Sequence, residues 1–204
     1  MNLLFQKRCF NYLGLPENVT PDADLSHAVE EARQEVEKIA NFQYLYSQFI
    51  EYQDFINNNS AYTDYLAGAD SYLLCATTLG IQVDQRLKRL QLENMQRAVV
   101  FDAVASAFLE LRADEFEAAL PFPKLGFRFC PGYGGTSITD NREIARLLHA
   151  DRIGISFLDS GLMVPGKSMV GLIRVGAGTR KSCENCVTGG DCAFRRRGTT
   201  CYQK

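Results

Sequence analysis

The stretch Gly161-Leu162-Met163-Val164-Pro165-Gly166-Lys167-Ser168-Met169-Val170-Gly171 decides how the fold is read. Its first eight residues satisfy every fixed position of the phosphate-loop pattern. A working phosphate loop needs a helix behind it, so that backbone amides and the helix dipole face the phosphates. Here Met169-Val-Gly-Leu-Ile-Arg-Val175 follows, a run that prefers a strand. Only 36 residues remain after Ser168 for the rest of a nucleotide site. A β-hairpin turning at Pro165-Gly166 is the expected reading, ahead of a nucleotide-hydrolysing enzyme.

Upstream, residues 1–120 read as mostly helical with two strand-like interruptions. Leu25, Ala28, Val29, Ala32, Val36, Ile39 and Ala40 share one helical face, and Thr20-Pro21-Asp22 supplies a start signal. Residues 45–56 are rich in aromatics and suit a strand, as do the apolar residues 72–77. Residues 92–120 form a long helix stopped by Pro121, and its middle, 98–109, is apolar almost all round. Beyond Gly126 come a strand into Cys130, a helix over 141–149 with Asp140 and Glu143 as a capping box, and strands near 153–158 and 169–175. Helices followed by strands, without regular alternation, predict α+β: a mostly antiparallel twisted sheet flanked by helices, with a helical N-terminal half.

The chain has 204 residues, 46% hydrophobic and 23% charged, enough for one large domain or two small ones. A net charge of -2 is neither a nucleic-acid nor a membrane signature. No secretory signal and no membrane-spanning run stand out, so a cytoplasmic protein is expected. Two histidines, His27 and His149, have no nucleophile tied to them, and no Gly-x-Ser-x-Gly elbow is present. Hydrolase triads are set aside on that ground.

Charge and cysteine are both uneven. Residues 176–204 hold six Lys or Arg against two acids, which leaves residues 1–175 acidic. Cys9, Cys75 and Cys130 stand alone, whereas Cys183, Cys186, Cys192 and Cys201 fall within 19 residues of the tail. Four soft ligands at that spacing fit a tetrahedral zinc site or an iron–sulfur cluster, and free thiols or redox pairs are the other reading. Residues 1–178 are thus expected as one domain and 179–204 as a Cys-rich tail.

Arg128-Phe129-Cys130-Pro131-Gly132-Tyr133 places a guanidinium, a phenol and a Pro-Gly turn within six residues. An Arg fork suits a carboxylate or phosphate, Tyr adds an apolar face with a hydroxyl edge, and Gly lets backbone come close to a bound molecule. With the helix bearing Ile144, Leu147 and Leu148, then Ile153-Gly-Ile-x-Phe157, then Met163-x-Pro-Gly-x-Ser-x-x-Gly171, this order resembles the activation domain of cobalamin-dependent methionine synthase. The likeness is specific over about residues 126–175. Asn11-Tyr-Leu-Gly14 and Cys75-Ala-Thr-Thr-Leu-Gly80 extend it, more weakly, toward short freestanding relatives of that domain.

The resemblance implies binding of S-adenosylmethionine, whose methyl would be presented to cob(II)alamin held by a separate corrinoid methyltransferase, with an electron-donor protein completing reactivation. It implies that Arg128 takes the ligand's carboxylate, that Tyr133 supports it, and that the backbone at Cys130, Pro131 and Gly132 meets the ligand. The family's long-helix glutamate falls at Ser106 and a second glutamate at Phe122. Neither is acidic here, and Glu110 and Asp102 are the nearby acids that would substitute. The missing carboxylates favour the alternative, a non-catalytic metal-binding or interaction protein that keeps the fold.

Overall fold

Strand β2 (Ser71–Thr78) is buried along its whole length, and two neighbours enclose it. The computed structural model describes residues 3–15, 19–176 and 193–196. Strands β1 (Gln43–Phe49) and β5 (Ser168–Val175) pair antiparallel on either side of β2, in the order β1-β2-β5. Beyond β5, residues 126–129 run along its free edge: Gly126 N donates to Arg174 O at 2.9 Å, and Phe129 and Leu172 exchange both backbone bonds. The strand expected to end at Cys130 is therefore an edge segment. The chain is α+β with an antiparallel sheet flanked by helices.

Period-two alternation gives the sheet two different faces. Tyr72, Leu74, Ala76, Val170 and Leu172 look toward α4 (Ser60–Leu66) and α7 (Asp140–Leu148), where Tyr62, Tyr65, Leu66, Ile144 and Leu148 complete one core. Leu73, Cys75, Ile173 and Val175 look the other way, against Tyr44, Leu120, Phe122 and Leu125. The same alternation sends Phe127 and Phe129 into the first core beside Tyr65, while Arg128 lies on the second face near Gly171.

A second apolar core is built mainly from helices, with Leu79 after β2 buried in it and Met169 of β5 packed against it. Helices α1 (Leu3–Tyr12), α2 (Ala23–Ile39) and α5 (Ile81–Glu93) pack around α6 (Met95–Ala118), burying Phe5, Cys9, Val29, Val36, Val83, Leu90, Phe101 and Val104. The start signal before α2 is confirmed, since Asp22 Oδ1 caps Leu25 N at 2.7 Å. The long helix begins at Met95 instead of residue 92. Asn94 is extended there, closing α5 with its N–H and capping Arg97 N with its side chain.

Three further expectations are corrected. β1 stops at Phe49, which pairs with Tyr72 at the start of β2's register. Past that point the chain has almost no partner strand, so it turns and forms the short helix α3 (Asp54–Asn57). The capping box does not form: Thr139 precedes α7, Asp140 accepts from Tyr62, and Glu143 pairs with Arg146. Pro165-Gly166 is not a hairpin turn. β4 (Met163–Val164) pairs with β3 (Ser156–Phe157), following a 3-10 turn at Ala150–Ile153, whereas β5 joins the main sheet. The Pro-Gly segment therefore crosses from one sheet to the other. α8 (Ala193–Arg196) is the one described part of the tail, and Cys183, Cys186, Cys192 and Cys201 lie outside the described residues.

Gly171 is fixed by space. A Cβ there would sit 2.7 Å from Phe129 O and 3.1 Å from Arg128 Cγ. Gly171→Ala is expected to push the edge segment off β5 and to cost about 1–3 kcal/mol in urea unfolding, the range typical of overpacking. An unchanged midpoint would show that residues 126–129 are not held there.

Burial pushes the thiols of Cys9 and Cys75 up to about 12. An unfolded thiol ionises near about 8.5, so the stability these residues contribute is intact below that pH and is lost as pH rises toward 12. Urea midpoints should fall between pH 8 and 9.5, before phenols titrate. The double variant Cys9→Ala/Cys75→Ala should flatten that fall, and an equal fall in the variant would assign the effect elsewhere.

Candidate functional site

Asp102, Ser106, Glu110, Asp114 and Glu117 are spaced four, four, four and three residues apart on α6, so they stand in one row along the helix. The rest of the helix is largely committed to the core, and this row faces cations and phenols from four other parts of the chain. Lys167 Nζ lies 2.8 Å from Asp102 Oδ1 and donates to Ser106 Oγ at 2.8 Å. Tyr12 donates to Glu110 Oε1 at 2.5 Å. Arg8 donates to Asp114 Oδ2 at 2.6 Å. Arg128 donates to Asp114 Oδ1 at 3.3 Å and to Glu117, which also accepts from Tyr44 at 2.8 Å.

Arg128 is the most enclosed member, with 7% of its side chain exposed against 12% for Glu117 and 46% for Asp114. Burial disfavours its charge, but Glu117 and the groups around it hold the guanidinium protonated well above its ordinary range. Burial pushes the Glu117 carboxyl up, while Arg128 and Tyr44 pull it back. Arg128 therefore does not stand open to a ligand, as the sequence led one to expect: internal carboxylates already occupy its fork. Burial, reinforced by Glu110, pushes the Tyr12 hydroxyl up, so it stays a neutral donor.

The turn after Arg128 closes on itself. Pro131 is buried, Gly132 N donates to Thr136 Oγ1 at 3.0 Å, and Thr136 Oγ1 donates to Tyr133 O at 2.6 Å. Gly132 has φ +90°, a conformation that L side chains rarely adopt. Cys130 is half-buried, and Tyr133 projects with 66% of its surface exposed. Arg8 of α1 and Arg128, which leads into this turn, meet at Asp114 on α6. The structure thus joins Arg128 and its turn to a face that also contains Arg8, Tyr12, Glu110 and Asp114.

The sequence reading of the site missed Arg8, Tyr12, Asp114 and Glu117. For Asp114 and Glu117 the available signal was the polar residue recurring every three or four positions from Asp102 to Glu117. Ser106 and Phe122 have other partners: Ser106 meets Lys167, and Phe122 packs edge-on against Tyr46 at 6.1 Å between centroids. The phosphate-loop lookalike is spent on structure. Gly166 N and Lys167 N both donate to Asp84, and a strand follows. A small indentation lined by Glu35, Leu90, Arg97 and Phe101 lies toward the other end of α6. Among the described residues, no group of three or more His, Cys, Asp or Glu could hold a metal ion, and no helix is long and apolar enough to cross a membrane.

No protein-family model and no curated protein matches the chain. Among solved structures, its fold is similar to the crystal structure of the MetH reactivation domain bound to AdoHcy, with a TM-score of 0.62. The superposition covers 94% of this chain and 80% of that one, at 15% sequence identity. The resemblance carried by Arg128–Tyr133 and Met163–Gly171 is therefore one of fold across nearly the whole chain: this protein has the architecture of a methionine synthase reactivation domain.

Proposed function

We propose that this protein binds S-adenosylmethionine and serves as a freestanding reactivation partner of a separate corrinoid methyltransferase. The observation that carries this reading is the likeness over 94% of the chain to a reactivation domain crystallised with AdoHcy. The Arg128–Tyr133 turn beside an acidic and cationic helix face supports it, since both charges of an amino-acid head find counterparts there. In this reading the ligand's sulfonium methyl passes to the cob(II)alamin of the partner while a donor protein supplies one electron, leaving S-adenosylhomocysteine. Cys130, Pro131, Gly132 and Tyr133 line the ligand, Arg128 joins them once its exposed Asp114 partner gives way, and the protein's own contribution is to hold the methyl in place. No side chain here need transfer a proton.

Cys183, Cys186, Cys192 and Cys201 form, in the same proposal, a zinc or iron–sulfur site in the tail, and a cluster there would serve the electron step. A second reading is a binding or interaction protein that keeps the fold without the ligand. The engaged Arg128–Glu117 pair favours that reading.

Calorimetry with S-adenosylmethionine separates the two. The first predicts binding heat and a thermal shift below millimolar ligand, and neither at that concentration contradicts it. Arg128→Ala would leave Glu117 buried without its cation, at about 3–5 kcal/mol, so Arg128→Lys is the better variant. Lys keeps the charge and loses the planar fork, and affinity should fall about tenfold or more. Unchanged affinity would remove Arg128 from the ligand site.

A further inference from the structure

Asp114 is held by two guanidinia, one at each carboxylate oxygen. Oδ2 takes Arg8 Nη2 at 2.6 Å and Oδ1 takes Arg128 Nη2 at 3.3 Å. The two arginines are largely buried, with 18% and 7% of their side chains exposed, while Asp114 is 46% exposed. The fixed parts of this bridge are thus the cations, and the movable part is the carboxylate. The bridge is also incomplete. Arg8 Nη1 is buried, has no hydrogen-bond acceptor, and has only Glu110 Oε2 near it, at 3.9 Å. A buried charged donor left without a partner is destabilising and calls for an acceptor that can reach it.

The surroundings fit an amino-acid head group. Glu110 stands one helical turn before Asp114, with one oxygen engaged by Tyr12 and the other facing Arg8, so a negative site lies beside the positive pair. Tyr12, whose hydroxyl reaches Glu110, leaves nearly half of its surface exposed and offers an apolar face at the border of the same region. Arg8 is seated from below, because α1 anchors on α6 through Phe5 against Phe108 and through buried Cys9.

We propose that Arg8 and Arg128 together form a clamp for the carboxylate of an amino-acid-bearing ligand, and that Asp114 fills this clamp until the ligand's carboxylate displaces it. Arg8 is then a ligand-binding residue, and Asp114 is a built-in competitor that lowers affinity for every ligand carrying that carboxylate. This rests on the reading of S-adenosylmethionine as the ligand; to the Arg128 contact that the resemblance implies, it adds Arg8 as second donor and Asp114 as competitor.

The test uses the full chain, two ligands and two variants. S-adenosylmethionine carries the amino-acid head, and 5′-deoxy-5′-methylthioadenosine has the nucleoside and thioether without it. Asp114→Asn removes the competing charge and should tighten S-adenosylmethionine about tenfold, with the second ligand unchanged. Arg8→Gln should weaken S-adenosylmethionine by a similar factor, again sparing the second ligand. Thermal melts establish that each variant is folded, and Arg8→Gln alone decides the matter if Asp114→Asn does not fold. Binding of S-adenosylmethionine to wild type with equal or weaker affinity in Asp114→Asn overturns the clamp while the ligand reading stands. Equal tightening of both ligands overturns the carboxylate assignment. Binding to neither wild type nor variant overturns the ligand reading, and the clamp with it. Binding only after Asp114→Asn supports both.

Discussion

The buried pairing of Arg128 with Glu117 ties the sheet to the helical core. Arg128 reaches the second face of the sheet because Gly171 has no side chain, so the edge segment can run close over β5. Once there, its guanidinium must be neutralised, since an unpaired buried charge is among the costliest faults a fold can contain. Glu117 meets that need from the last turns of α6, with Tyr44 of β1 holding the carboxylate from the other side. Helix, sheet and edge segment are thereby locked at one point, and the turn from Cys130 to Tyr133 inherits its position from that lock.

Helix α6 does two jobs that usually fall to different elements. Ala98, Phe101, Val104, Ala105, Ala107 and Leu109 make it the spine against which α1, α2 and α5 pack. One polar row from Asp102 to Glu117 gathers Lys167, Arg8, Tyr12 and Arg128. Cations and phenols that are distant in sequence are therefore aligned along about 20 Å of one helix, at 1.5 Å per residue. A ligand with separated positive and negative groups finds both kinds of counterpart in that row, which is the physical basis for reading this face as the binding site.

Much of the fold was legible because the strongest signals were periodic. Residues 72–77 read as a buried strand, residues 98–109 as an apolar spine and residues 169–175 as a strand, and each stands in the structure with small changes at its ends. The errors came where tertiary partners decide. The strand begun in residues 45–56 ends when its partner runs out, and aromatic composition is silent on that. Pro165-Gly166 looks like a hairpin turn locally, and only the pairing of β4 with β3 reveals a crossover. Arg128 and its turn were visible as a ligand-type constellation, but which acids meet Arg128 depends on where α6 ends relative to the sheet. Glu117 and Asp114 are ordinary helix-surface residues in the sequence, and Arg8 is an unremarkable cation in a short N-terminal helix.

The central claim is that the face of α6 between Arg8 and Arg128 receives the amino-acid end of a nucleoside thioether ligand. A crystal structure of the full chain grown with S-adenosylhomocysteine tests it most directly. The claim predicts the ligand's carboxylate between the two guanidinia, with the Asp114 side chain turned toward solvent. Density for the ligand anywhere else on the molecule, with Asp114 still bridging both arginines, would contradict it.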